Sequence, residues 1–258
     1  MGDEITPGKT RVNFLNVPVD IVEPDQLGML AFGLLAEKKE SNIVLLSLWD
    51  LLRARRNNEY RDYVCRAALV IPISKSIVKG IRFLFKEKAV RYMPFDFVIN
   101  ILTMLESCEL SCYFLGSKKR DLHKAEKNIR DTFPGLRIVG RYPGSFRKQE
   151  EPAIIEAIRK ASPSLLFVGK GVRGEEFWIA RNSGRLGKGL RLWCSDLIDI
   201  FAERKRRPSR TVFTLGLDWV GHCLQNPFRL LRFFPFAYYK VLLVVYKIFK
   251  NPSGGKRH

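Results

Sequence analysis

"SCYFLGSKKRDLHKAEKNIRDTFPGLRIVGRYPGSF", residues 111 to 146, decides the fold. An apolar run reaches Gly116 and reads as a buried strand. A charged amphipathic stretch follows and closes at Pro134 and Gly135, as a helix does. A second apolar run then enters a glycine-rich loop. The unit is strand, helix, strand, and the chain repeats it outward in both directions. Towards the C-terminus come a helix over 150–163, a strand and loop over 164–174, a helix start over 175–186 and a strand-like stretch over 190–201. Towards the N-terminus come helical patterns over 95–109 and 76–88, a strand over 67–73, one basic amphipathic helix over 49–64 and a buried strand over 41–48. Before those stand a helix over 25–39, with Asp25 as N-cap, and an opening strand and turn over 11–22. Strands alternating with helices of about a dozen residues predict βαβ units, hence an α/β fold with a parallel sheet and helices on both faces.

Three strand ends carry glycine: "FLGSKK" at Gly116, "IVGRYPGSF" at Gly140 and "FVGKGVRGEE" at Gly169. Glycine after a parallel strand lets backbone amides approach a ligand, and the helix start that follows favours an anion. The three together predict a phosphate-bearing ligand at the C-terminal edge of the sheet. None is a G-x-G-x-x-G or a Walker loop, which argues against dinucleotide binding and ATP hydrolysis.

The 258 residues carry 45 Lys and Arg against 26 Asp and Glu, a net charge of +19, and 46% are hydrophobic. Such a surplus predicts an anionic partner. It is concentrated at the end, where residues 203–258 hold twelve Lys and Arg against Glu203 and Asp218. Within that segment "FFPFAYYKVLLVVYKIF" (233–249) sets aromatic and aliphatic bulk beside Lys240 and Lys247. It is short for a spanning helix and is interrupted by charge and Pro235, which fits a segment lying in an anionic membrane interface. Nucleic acid is disfavoured, because lipid suits "VLLVVY" better than a phosphate backbone does and no nucleic-acid module is recognisable. The five cysteines are scattered without a C-x-x-C, and no D-x-D occurs, so no metal or other cofactor is expected. The nearest approximation to a metal clamp is Asp196 and Asp199 in "DLID". The polar, acidic opening "MGDEITPGKT" is unlike a signal peptide, and reduced thiols fit a cytoplasmic protein.

From about residue 12 to about 245 the chain resembles the WecG/TagA/CpsF glycosyltransferases. "NVPVDIV", "RYMPFDFV", the 113–146 block, "LLFVGKGVRGEEFWIARN", "RKRRPSR" and "TLGLDWVGHCLQNPFRLLR" are similar to the family's blocks in order and spacing. The resemblance implies a Rossmann-like domain, here 1–202, and a basic membrane-associating appendage, here 203–258. It implies transfer from a UDP-sugar to a polyprenyl-diphosphate-linked saccharide in cell-surface polysaccharide synthesis, on the inner face of the cell membrane. The nucleotide-sugar would be held by Gly116, Gly140, Arg141, Gly144, Phe146, Gly169, Gly171, Arg173, Glu175 and Glu176. Arg206, Arg207, Arg210, His222, Arg229 and Arg232 would meet the membrane or the diphosphate. A homo-oligomer is left open.

The departures from the family pattern bear on chemistry. The usual P-D-G becomes Pro72, Ile73, Ser74, which removes the Asp that is the usual candidate for general base. The T-x-N of the preceding strand end becomes Leu45, Leu46, Ser47. An inverting transfer needs a base at the acceptor hydroxyl and positive charge at the leaving diphosphate. Asp96 and Asp50 are the candidate bases, Ser47 stands beside them in the pattern, and Arg91 is a candidate for the diphosphate. The alternative is a non-catalytic, membrane-bound relative, a scaffold or regulator that kept the fold.

Overall fold

The structure is a computed structural model that describes residues 8–37, 39–206, 213 and 233–250. The chain opens with an antiparallel hairpin, β1 (Lys9–Phe14) and β2 (Val17–Val22), where the sequence suggested one strand and a turn. Its two-residue loop, Leu15 and Asn16, has φ of 53° and 66°. That geometry normally selects Asn-Gly, so the turn is not visible in "LN". Complete burial of Leu15 and a hydrogen bond from Arg55 to its carbonyl hold it there.

The alternating part follows: α1 (Pro24–Ala36), β3 (Glu40–Leu46), α2 (Leu48–Arg56), α3 (Asn58–Cys65), β4 (Leu69–Pro72), α4 (Lys75–Phe85), α5 (Pro94–Ser107), β5 (Ser111–Leu115), α6 (Lys119–Thr132), β6 (Arg137–Tyr142), α7 (Glu151–Ala161), β7 (Leu165–Val168), α8 (Glu176–Arg181), β8 (Gly189–Trp193) and α9 (Leu197–Phe201). The stretch expected as one helix over 49–64 is two. Asn57 is extended (φ −122°, ψ 113°), and its side chain accepts from the Tyr60 amide at 2.9 Å, so it caps a new helix instead of continuing the old one. The stretch over 190–201 divides into β8 and α9.

The six main strands are all parallel, in the order β4-β3-β8-β7-β5-β6. Each face has its own core. One packs α2, α3, α4, α7 and α8 with the hairpin, the other α1, α5, α6 and α9. Covered on both sides, β4 and β7 are buried at every residue. β6, at one edge, alternates exposed and half-buried positions and carries the exposed Arg137 and Arg141, charges that blunt the edge. The connection after β5 runs towards β6, whereas the one after β7 runs back to β8. The chain therefore reverses direction between β5 and β7, where doubly wound sheets open a crevice at their C-terminal edge.

Asp20, whose side chain is fully buried, fastens the hairpin to the other edge of the sheet. Its carboxylate accepts from Nε and Nη2 of Arg11, each at 2.7 Å, and from the Val70 amide of β4 at 2.7 Å.

A further helix, α10 (Phe233–Lys250), lies along α4. Tyr239 is 1% exposed and donates to the Ser76 carbonyl at 2.6 Å. It fits because α4 has Gly80 opposite, where a Cβ would stand 2.2 Å from the Tyr239 hydroxyl. The other side of α10 exposes Val241, Val244, Val245, Ile248 and Phe249. Among the described residues no helix is long and apolar enough to cross a membrane.

Breaking the buried Asp20 pair leaves Arg11 and the Val70 amide without their carboxylate. Asp20→Ala is expected to cost about 3–5 kcal/mol, read as a lowered urea midpoint.

Candidate active site

The loops after β5, β6 and β7 meet at the reversal point and bind one another. The Gly116 amide donates to Tyr142 O at 3.0 Å, Ser117 to Lys170 O at 2.5 Å, Gly144 to Ser117 O at 2.9 Å and Gly169 to Leu115 O at 2.7 Å. A Cβ on Gly116 would lie 2.8 Å from the Gly169 backbone, and one on Gly144 would lie 2.7 Å from Lys170 O. Gly116 (φ 145°) and Gly171 (φ 89°) also hold conformations that favour glycine. These glycines press three loops together, and these four amides are engaged in doing so. Gly140 lies elsewhere, because β6 continues to Tyr142. It sits inside that strand, where a Cβ would stand 2.3 Å from the Tyr113 ring. Arg141 points to α6, pairing with Glu126 and meeting His123 Nδ1 at 3.2 Å. Phe146 packs edge-on against the buried Trp178 at 6.4 Å.

Charge collects at the ends of β7 and β8. Lys170 pairs with Asp196 and stands 3.7 Å from Asp199, Lys205 donates to Asp196 at 2.5 Å, and Ser117 Oγ donates to Asp199 at 3.1 Å. Burial alone would raise the Asp196 carboxyl, but the two lysines outweigh it and hold the group below its ordinary value. The acids of "DLID" are thus paired with lysines, and an anion arriving here would compete with Asp196 for Lys170. Lys170, Lys205 and Ser117 are not among the residues that the sequence marks for the site. The one available signal was a lysine between two strand-end glycines. Arg206 lies just beyond this cluster and is exposed, as is Arg173 on the β7 loop.

A second group lies at the end of β3. Ser47 caps α2, and its Oγ donates to Asp50 Oδ2 at 2.5 Å, while Asp50 also accepts from the Ser47 amide at 3.0 Å. This capping box is written in "SLWD" as Ser47 and Asp50 three positions apart. Burial pushes the Asp50 carboxyl up, and the nearby charge of Glu175 adds to that, beyond what Ser47 and Arg53 take back. Glu176 is 4% exposed and is likewise pushed up, by burial first and then by Asp50. Arg53 binds Glu176 at 2.6 Å and lies over the rings of Tyr60 and Phe177, at 4.8 and 4.4 Å. Glu175, exposed, holds φ 54° and ψ −131°, a strained conformation for a residue with a side chain. Nothing in the spacing of Asp50 and Glu176, 126 positions apart in the chain, foretold that they would meet.

The third group lies at the end of β4. The Ile73 amide donates to Leu46 O at 3.0 Å, which sets the loop after β4 directly beside Ser47. Arg91 donates from Nε to Ile73 O at 2.9 Å and from Nη1 to Phe213 O at 2.5 Å, with its guanidinium 3.6 Å from the Phe213 ring centre. Arg91 and Asp96 line a cavity of about 380 Å³ whose other walls come mainly from apolar residues of α1 and α5. The expected contacts of Arg207, Arg210, His222, Arg229 and Arg232 fall outside the described residues.

The profile of the family described as "Glycosyl transferase WecG/TagA/CpsF family" matches residues 12–255. The chain is also similar to two curated proteins named N-acetylglucosaminyldiphosphoundecaprenol N-acetyl-beta-D-mannosaminyltransferase. The one from Bacillus spizizenii is 22% identical over 176 residues, 68% of this chain and 68% of the relative. The one from Bacillus subtilis is 22% identical over 198 residues, 77% of this chain and 76% of the relative.

A raised carboxyl makes stability depend on pH. Folded Asp50 and Glu176 hold their protons more tightly than the unfolded chain does, so their contribution falls as pH rises from the ordinary carboxylate range through the raised values. Asp50→Asn keeps an oxygen for Ser47 and removes the buried charge. It should melt above the parent at pH 7, with the difference shrinking as pH falls towards the ordinary carboxylate range, measured by thermal unfolding across pH.

Proposed function

The chain belongs to the WecG/TagA/CpsF glycosyl transferase family, and from that premise we propose that it moves a sugar from a UDP-sugar to a polyprenyl-diphosphate-linked saccharide at a membrane surface. The observation that carries this reading is the half-buried Asp50, with its raised pKa, at the strand end next to Ile73. The proton acceptor lost from the β4 loop is supplied one strand away, and neighbouring strands are about 4.8 Å apart. Asp50 accepts the acceptor hydroxyl's proton as that oxygen bonds to the anomeric carbon. The bond to the donor diphosphate breaks, and UDP leaves with the electron pair. Ser47 orients the Asp50 carboxyl by its 2.5 Å hydrogen bond, and Glu176 and Arg53 fix the wall behind it. Lys170 and Arg91 carry the positive charge that the two diphosphates require.

The donor lies over the clasped glycine loops, in residues 1–202, where Arg173 and Glu175 are exposed on the β7 loop. Residues 203–258 hold the protein to an anionic leaflet, on its cytoplasmic side. The outer apolar face of α10 supports this, with Lys240 over Phe236 at 5.6 Å, Lys247 over Phe83 at 4.0 Å and Arg56 over Tyr238 at 5.2 Å. Such mixed aromatic and basic surfaces lie at the lipid–water boundary. The loss of Asp at Ile73 favours one competing reading, a membrane-bound relative without transferase activity.

Calorimetric titration with UDP-sugars, followed by transfer assays on a lipid-linked acceptor, separates the two. Under the transferase reading one UDP-sugar binds, and Asp50→Asn lowers kcat by about 10²–10⁴-fold with donor affinity kept. Asp96→Asn, acting on the acceptor cavity, chiefly raises the acceptor KM. No donor binding would leave the non-catalytic reading standing. An equal collapse of kcat in Asp96→Asn with Asp50→Asn active would move the base to Asp96. Removal of residues 233–258 should release the protein from anionic vesicles in a flotation assay, and high salt should weaken binding by the intact chain.

A further inference from the structure

The cavity beside Arg91 is unlike the rest of the site. At about 380 Å³ it is in the size range of ligand pockets. Leu27, Gly28 and Ala31 of α1 face Phe97, Ile101 and Met104 of α5 across it. A slot with those walls has little to offer a sugar or a nucleotide, which need hydrogen-bond partners on several sides. Its polar side chains are Arg91, Tyr92, Asp96 and Asn100, of which Tyr92 donates its hydroxyl to Val22 O and Arg91 is tied to the β4 loop through Ile73 O. α1 also exposes Met29 (68%) and Phe32 (43%).

We propose that this cavity holds the first part of the acceptor lipid's hydrocarbon chain, with Arg91 on its diphosphate. The proposal rests on the transferase reading and deepens it. The groups are linked in the order in which such a molecule carries them. Arg91 lines the apolar slot and bonds Ile73 O after β4, and the Ile73 amide bonds Leu46 O, next to Ser47 and Asp50 at the end of β3. Chain, diphosphate and accepting sugar follow one another in that sequence, and the sugar's hydroxyl arrives at Asp50. Phe213, stacked on Arg91, closes the cavity from the side of the basic appendage.

The test uses the full chain and two soluble probes, farnesyl diphosphate and methyl diphosphate, titrated by calorimetry. The parent should bind the farnesyl compound roughly tenfold or more tightly, as burial of several methylenes requires. Gly28→Leu fills the slot without a backbone clash, since nothing lies within 4 Å of a Cβ at that position. It should bring farnesyl diphosphate down to the methyl compound's affinity while UDP-sugar affinity stays within about twofold. Met104→Phe is the second filling variant, should the first fail to fold. Equal binding of the two probes by the parent would overturn the proposal. So would an undiminished farnesyl preference in a folded filling variant, which would place the chain on another apolar surface such as α10. Failure of UDP-sugar binding sinks the transferase reading separately. Chain-length selectivity abolished by Gly28→Leu in that case would still mark the cavity as a site for prenyl diphosphates.

Discussion

The contact between Gly116 and Gly169 is the constraint on which the site depends. A single added Cβ would come within 2.8–2.9 Å of backbone. Because no side chain separates them, the loops after β5 and β7 can close on each other at the point where the sheet reverses direction. Gly144 joins them from the β6 loop, and four backbone hydrogen bonds lock the three together. The strand ends then form a rigid rim on which side chains from distant parts of the chain are set. Rigidity matters because catalytic groups must stand within a fraction of an ångström of their working positions.

Along that rim the charged groups are separated by kind. Lysines and paired acids gather at β7 and β8, raised carboxyls at the end of β3, and an arginine with apolar walls at the end of β4. The raised values of Asp50 and Glu176 have one origin. Two acids enter the same poorly solvated wall, and Arg53 is the cation that binds one of them. Such an arrangement costs stability, and groups held at a cost are typical of sites with chemistry to perform. The contrast with Asp20 is instructive. It is more deeply buried, yet two bonds from Arg11 and one from Val70 answer it, and it serves as a fastener.

Most of the architecture could be read from the chain. Alternating strands and helices gave the parallel sheet, and "FLGS" and "FVGKG" marked the ends of β5 and β7. Other details are not legible in the chain, for physical reasons. The first hairpin turns on Leu15 and Asn16, whose positive φ values are held by burial rather than by turn chemistry. Asn57 is as compatible with a helix interior as with a cap, and only its bond to Tyr60 decides. β6 runs past Gly140, since Arg141 and Tyr142 still pair with Phe114 and Leu115, and the glycine makes room for the Tyr113 ring, so that residue marks packing rather than a strand end.

The sequence by itself determined the fold class and the basic, amphipathic C-terminal segment. Each of these is a matter of residue type and local period, which the chain carries wherever it folds. The tertiary structure alone decided which acid stands near the loop after β4. It brought Asp50 and Glu176 together, tied Arg91 to both Ile73 and Phe213, and enclosed the apolar cavity behind them. Pairings between residues tens of positions apart follow from strand order, and strand order leaves no trace in local spacing. A carboxylate's pKa depends on what surrounds it, so its chemistry becomes visible only once the sheet has assembled its neighbours.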